Sequence, residues 1–274
     1  MYGQISPKYQ PMLEALVGSD AFVSETVPRV QTGRYTEADA QGVSVYIGSY
    51  DDINFSTIAI HEFGHYLHEV IVFEEEEREI FPVYETHSVA GTLLCADMVE
   101  ALFREQTGEE YGALLTLCYL MDALSTLPYG CMEVLLTEDI YLHPENYQPE
   151  DIAQRYLELC LSIGYDGGYS EEYQMLVGTE WLNSALMFSR PFYTISYPVG
   201  ATNALWLWRE QENGGDAIKL YNELIATPVP DVSYADFCRQ MGLPDLLDSE
   251  TYAGMDDFLC NKLVSLYTEA YGEQ

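Results

Sequence analysis

Three of the chain's five histidines, His61, His65 and His68, fall within the stretch IAIHEFGHYLHEV (59–71), and Glu62 directly follows the first. On a helix, four residues is slightly more than one turn, so His61 and His65 project from one face. Two neutral imidazoles so placed can bind one Zn²⁺, with positions left for a further ligand and for water. Glu62 sits one residue round, close enough to reach a water on the metal without ligating it. In this His-Glu-x-x-His pattern the metal lowers the pKa of its water to about 7. The glutamate takes the proton as hydroxide attacks a carbonyl. The competing reading is a helix that merely displays surface histidines. The apolar frame argues against it, because a buried helix does not normally turn two histidines and a glutamate inward without a use. Gly64 allows another backbone, or a substrate, to come close to this helix.

A catalytic zinc needs a third protein ligand. His68 lies one turn past His65, about 4.5 Å further along the axis. That is awkward for a metal centred between His61 and His65, so His68 reads as a supporting or rim residue. Glu85, in YETHS, opens the next helical segment after an acidic loop long enough for the chain to turn back. A carboxylate from a second, antiparallel helix would complete a His₂Glu set. Glu100 is the alternative. His87 is either a ligand or, in preference, a hydrogen-bonding support, since ligating imidazoles need such partners. One Zn²⁺ ion is the expected cofactor, although His₂Glu sites accept several divalent metals.

Around these residues the chain must supply rigid elements. GVSVYIGSY (42–50) reads as a strand, and an edge strand can pair with an extended peptide through its backbone. NFST then offers N-caps for the histidine helix over 56–72. Residues 1–18 read as a short helix with a proline break, and 19–42 as polar and irregular. EEEERE (74–79) reads as an exposed loop or helix end. From Tyr84 onward the periodicity is helical: 85–106, 111–127, 131–142, 149–164, 171–188, 191–211, 216–227 and 256–271. Pro198 and Gly200 are expected to kink or interrupt 191–211. The class is mainly α with a small β element before the HExxH helix. The expectation is one catalytic domain over 1–274, with a possible subdomain boundary near 165–170.

The balance of 45 acidic against 11 basic residues gives a formal charge of −34. Nucleic acid and anionic membranes would both be repelled. The excess reads chiefly as a solvated, solubilising surface. No apolar run is long enough to span a bilayer, and the first twenty residues lack a basic start followed by an apolar core. The six cysteines form no CxxC pair and sit among mostly apolar neighbours. They read as buried free thiols of a reducing compartment, which points to the cytoplasm.

Three segments, HEFGHYLH, then ETHS about two dozen residues on, then RPFYTISYPVGATNALWLW, together resemble the oligoendopeptidase F and thimet oligopeptidase family of zinc metallopeptidases. The likeness runs over roughly residues 40–270. It implies a zincin-like, mainly helical catalytic domain that cleaves short peptides in a deep channel. By this resemblance His61, His65 and Glu85 are the zinc ligands and Glu62 is the general base. Tyr193 and Tyr197 stand in the family's late segment, whose tyrosines donate to the tetrahedral oxyanion.

The sequence also departs from the family. Leu186 stands where the family usually has a histidine, and Arg190 is the candidate to replace its charge. Thr92 stands where a second glutamate usually follows the third ligand. Family members are commonly about twice as long, so a channel wall would come from a partner subunit, or the chain is a fragment, or the cleft is open. The leading expectation is a zinc-dependent endopeptidase acting on short peptides. Its alternatives are a catalytically impaired zinc- or peptide-binding relative and a helical domain without metal.

Overall fold

The computed structural model describes residues 2–28, 33–39, 41–50, 52–72, 82–108, 111–164, 170–228, 232–246 and 248–272. Two short helices, α1 (Tyr2–Ile5) and α2 (Tyr9–Val17), flank the break at Pro7. Three strands follow: β1 (Phe22–Thr26), β2 (Gly33–Asp39) and β3 (Gly42–Ser49). β3 lies in the middle, parallel to β1 and antiparallel to β2. The strand expected over 42–50 is therefore present, but it has no free edge to offer a peptide. Its neighbours occupy the 19–42 region that reads as irregular. β1 and β2 are exposed along most of their length, so neither needs the apolar alternation that marks a half-buried strand.

Helix α3 (Asp52–Val72) carries the histidines and buries Ile58, Ile60 and Leu67. A turn of 3-10 helix (Pro82–Glu85) then leads into α4 (Thr86–Leu94) and α5 (Ala96–Thr107). The helical pattern of 85–106 is thus two helices, broken at Cys95, whose φ of −97° and ψ of 0° leave the α-helical range. The segments 111–127 and 131–142, in contrast, form one helix, α6 (Gly112–Leu142), which continues through Pro128. After α7 (Pro149–Ser162), the 171–188 segment divides into α8 (Glu171–Val177), a 3-10 turn (Glu180–Asn183) and α9 (Ala185–Ser189).

The expected interruption at Pro198 and Gly200 does not occur. α10 (Ser196–Glu212) runs through both. Pro198 is its third residue, where a backbone N–H has no intrahelical acceptor in any case. The break falls earlier, at Phe192, whose φ of 69° makes the turn that leads into Tyr193. α11 (Ala217–Ile225), α12 (Tyr234–Met241) and α13 (Met255–Tyr271) complete the chain. The run 74–79 and positions 165–169 of the possible boundary lie outside the described residues.

The main core joins α1–α6, the sheet and α10–α13, with Tyr9, Ile47, Leu67, Leu120, Leu207 and Tyr221 among its fully buried members. Each of the aliphatic side chains among them contributes about 1.5–3 kcal/mol when buried. A smaller cluster gathers the second half of α6 with α7, α8 and α9 around Met132, Leu136 and Cys160. All six cysteines are free, but only Cys95, Cys160 and Cys238 are buried; Cys118, Cys131 and Cys260 are exposed, contrary to the reading of them as buried. No helix among the described residues is long and apolar enough to cross a membrane.

Candidate metal centre

One turn of α3 sets the His61 and His65 rings 4.8 Å apart, and their Nε2 atoms are separated by 3.2 Å. Glu85, buried at the start of α4, brings Oε2 to 3.2 Å from His61 Nε2 and 3.3 Å from His65 Nε2. The three donor atoms thus form a nearly equilateral triangle. Ligands about 2.0–2.1 Å from a tetrahedral zinc lie about 3.3 Å from one another. The residues present therefore fit a single ion through two imidazole nitrogens and one carboxylate oxygen. Among the described residues this is the one such cluster of histidine, cysteine and carboxylate side chains.

Two glycines make the convergence possible. A methyl on Gly64 would lie 2.9 Å from Ser88 Cα and 3.1 Å from the His87 carbonyl oxygen, so α3 and α4 meet backbone to backbone there. Similarly, a methyl on Gly200 would lie 2.7 Å from Glu85 Cβ, so α10 presses directly on the base of that side chain. Contacts this short involve backbone or Cβ atoms, which cannot swing aside. The Glu85 carboxylate is then held chiefly through Oε1. Tyr193 Oη donates to Oε1 at 2.5 Å, and Ser88 Oγ, which donates to the Glu85 carbonyl at 2.9 Å, also lies 3.2 Å from Oε2.

The charges follow from this packing. Burial pushes the Glu85 carboxyl up, but His65 and His61 beside it prevail and hold it well below the usual carboxylate range. Burial pushes the His61 pKa down. Burial acts on His65 in the same sense, but Glu85, Glu62 and Glu69 together overcome it and raise that imidazole. The raised His65 and the lowered Glu85 reflect their mutual attraction, and a divalent ion binding there would compete with protons for these ligands.

Behind the triangle, His65 Nδ1 lies 3.2 Å from His87 Nε2. A ligating His65 must carry its proton on Nδ1 and donate it, so His87 is the acceptor. Burial first, then the neighbouring His68 and His65, push His87 well below the ordinary histidine range and keep it neutral for that role. His68 is buried, not on the rim. It stacks on His87 with ring centroids 4.6 Å apart, and its Nδ1 bonds the Ile225 carbonyl at the end of α11. Glu100, the alternative third ligand, instead pairs with Arg104 on α5.

Glu62 is almost fully buried, and its partners come from a strand that sequence reading missed. Thr36 Oγ1 donates to Glu62 Oε2 at 2.7 Å, and Arg34 Nε stands 3.6 Å from Oε1. Arg34 and Thr36 are opposite the buried Ile47 and Val45 in the β2–β3 ladder, so all four point at α3. Along β2, Arg34 and Thr36 share a face while Tyr35 stacks on Tyr46 on the other.

Tyr193 and Tyr197 lie in contact, with ring centroids 5.7 Å apart. The Tyr193 hydroxyl is committed to Glu85. For Tyr197 the described residues show no hydrogen-bond partner. Burial, and then the Glu85 charge, push it well above the ordinary tyrosine range, so it stays protonated and able to donate. Leu186 is half-buried, and Arg190 is exposed at the end of α9. Thr92 spends its hydroxyl on the Val89 carbonyl.

No protein-family model matches the sequence, and a comparison with curated proteins gives no match. Among solved structures the chain is similar to PZ peptidase A with inhibitor 2 at a TM-score of 0.78, and to a candidate oligoendopeptidase F at 0.79. Identity is 18% in both, over 96% of this chain and 47% of theirs. A candidate oligoendopeptidase F from Bacillus anthracis str. Ames matches at a TM-score of 0.67 and 18% identity, over 97% of this chain and 44% of its own. The chain therefore spans about half the length of the structures it matches. Over that half, it has the fold of these oligoendopeptidase structures: a mainly helical body in which a small sheet precedes the helix bearing His61 and His65.

Proposed function

We propose that this chain is a zinc-dependent endopeptidase acting on short peptides. The observation that carries the reading is the 3.2–3.3 Å triangle of His61, His65 and Glu85, with the Glu62 carboxylate one residue away on the same helix. When bound, the ion supplies Lewis acidity toward water and toward a peptide carbonyl. The chain's own residues do the rest. β2 is an edge of the sheet on the side of α3, so an extended peptide can add to it through backbone hydrogen bonds. Glu62 accepts the proton of the attacking water on a carboxylate oxygen and passes it to the leaving amine, and this completes the hydrolysis. Thr36 and Arg34 hold that carboxylate in place. Tyr197 donates to the oxygen on which negative charge develops, while Tyr193 keeps Glu85 turned toward the imidazoles.

The match to about half of longer peptidase structures supports a further element of the reading: another polypeptide segment, or a partner subunit, completes the wall of the cleft. The free cysteines suit a cytoplasmic setting. The test is hydrolysis of a panel of short peptides. Turnover is expected from zinc-loaded protein, is lost on chelation, and returns with zinc. Stoichiometric zinc binding without turnover on any peptide would instead identify a non-catalytic relative.

A further inference from the structure

A cavity of about 800 Å³ opens beside the candidate centre, with His61 and Arg34 at one end. It is lined by Arg34 of β2, Tyr50 just after β3, and residues of α3, α4, α5 and α6. Ile58, Val89, Phe103, Tyr111 and Leu115 are among its lining residues, with Cys118 and Asp122 of α6. Cavities of this size commonly hold small ligands.

Two threonines in this wall make little demand on an occupant. The Thr92 hydroxyl donates to the Val89 carbonyl at 2.7 Å, and the Thr107 hydroxyl donates to the Phe103 carbonyl at 2.8 Å. Cys118 is exposed as a residue, but partial burial of its thiol pushes the pKa upward. Arg34 reaches back toward Glu62, and Asp122 is exposed to solvent. Beside them, Ile58, Val89, Phe103 and Leu115 give the space an apolar surface, while Tyr50, Thr57 and Tyr111 add hydroxyl-bearing side chains. A charged or amide side chain entering it would lose water and gain few partners. A large apolar one would lose water favourably.

We infer that this cavity is the specificity pocket of the proposed peptidase, and that it receives a bulky apolar side chain, aromatic or long aliphatic, from a residue flanking the cleaved bond. The inference rests on the peptidase reading, and its test separates the two. In a peptide series that varies only that residue, kcat/KM for Phe and Leu should exceed that for Ala by about 10–200-fold, the range one apolar pocket can supply. Asp and Lys should fall at or below Ala. The half-buried Val89, changed to Trp, fills the space: the Phe and Leu peptides should lose at least about 10-fold, and the Ala peptide less than about 3-fold. If that variant does not fold, Phe103→Ala enlarges the pocket and should move the preference toward Trp.

A second readout needs no turnover. In a Cys131→Ser, Cys260→Ser background, Cys118 is the remaining exposed thiol among the described cysteines. A Phe-containing peptide bound to the Glu62→Gln form of that protein should slow maleimide labelling of Cys118, and an Asp-containing peptide should not. Turnover with a flat kcat/KM series, unchanged by Val89→Trp or Phe103→Ala, overturns the pocket and leaves the peptidase reading standing. If no peptide is cut, the peptidase reading fails, and protection of Cys118 alone then decides whether the cavity binds apolar side chains.

Discussion

Glu62→Gln should leave the metal bound and lower kcat by about 10²–10⁴-fold, the usual contribution of a positioned general base. The substitution is nearly isosteric. Thr36 still finds an oxygen to donate to, and the His61, His65 and Glu85 atoms are not touched. What is lost is the ability to take a proton from water. Metal content and kcat measured on the same preparation separate this outcome from a folding defect. A Glu62→Gln protein with wild-type turnover would remove Glu62 from the mechanism.

Tyr197→Phe is expected to have the next largest effect. The Tyr197 hydroxyl has no partner among the described residues, so deleting it should cost little stability. It should lower kcat by about 10²–10³-fold, as removal of one oxyanion donor typically does, with KM nearly unchanged. Tyr193→Phe makes the informative contrast. That hydroxyl is bonded to Glu85, so its removal should appear in metal affinity, by about 10–100-fold as for other residues that support a ligand. If the two variants behave alike, with unchanged zinc affinity and equal loss of kcat, then Tyr193 acts on the substrate and not through Glu85.

How much of this was legible in the sequence depends on what kind of physics set each feature. The spacing of His61 and His65 follows from the helix repeat alone, and their shared face needs no tertiary information. Glu85 was reachable because it opens the next helical segment. Gly64 marked a close approach, and α4 makes it. By contrast β1 and β2 carry almost no apolar pattern, because the sheet is solvated over most of both strands. Arg34 and Thr36 were hidden with them, since a partner for Glu62 at a separation of 26 residues has no local signature. Helix boundaries were misjudged where the determinant was tertiary. Cys95 breaks a periodic run while Pro128 fails to break one, and Pro198 is harmless only because α10 begins two residues before it. The tyrosine roles could not be separated from sequence either. Tyr193 and Tyr197 are one turn apart, and only the turn at Phe192 and the pressure of Gly200 on Glu85 show which hydroxyl is committed.

X-ray absorption at the zinc edge, on protein stripped with chelator and reloaded with one equivalent of zinc, tests the central claim most directly. The account predicts one tightly held ion with a shell of nitrogen and oxygen at about 2.0–2.2 Å, including the scattering of two imidazole rings. His61→Ala or Glu85→Ala should remove a ligand from that shell. Loss of zinc on simple dialysis, or a shell containing sulfur at about 2.3 Å, would contradict it.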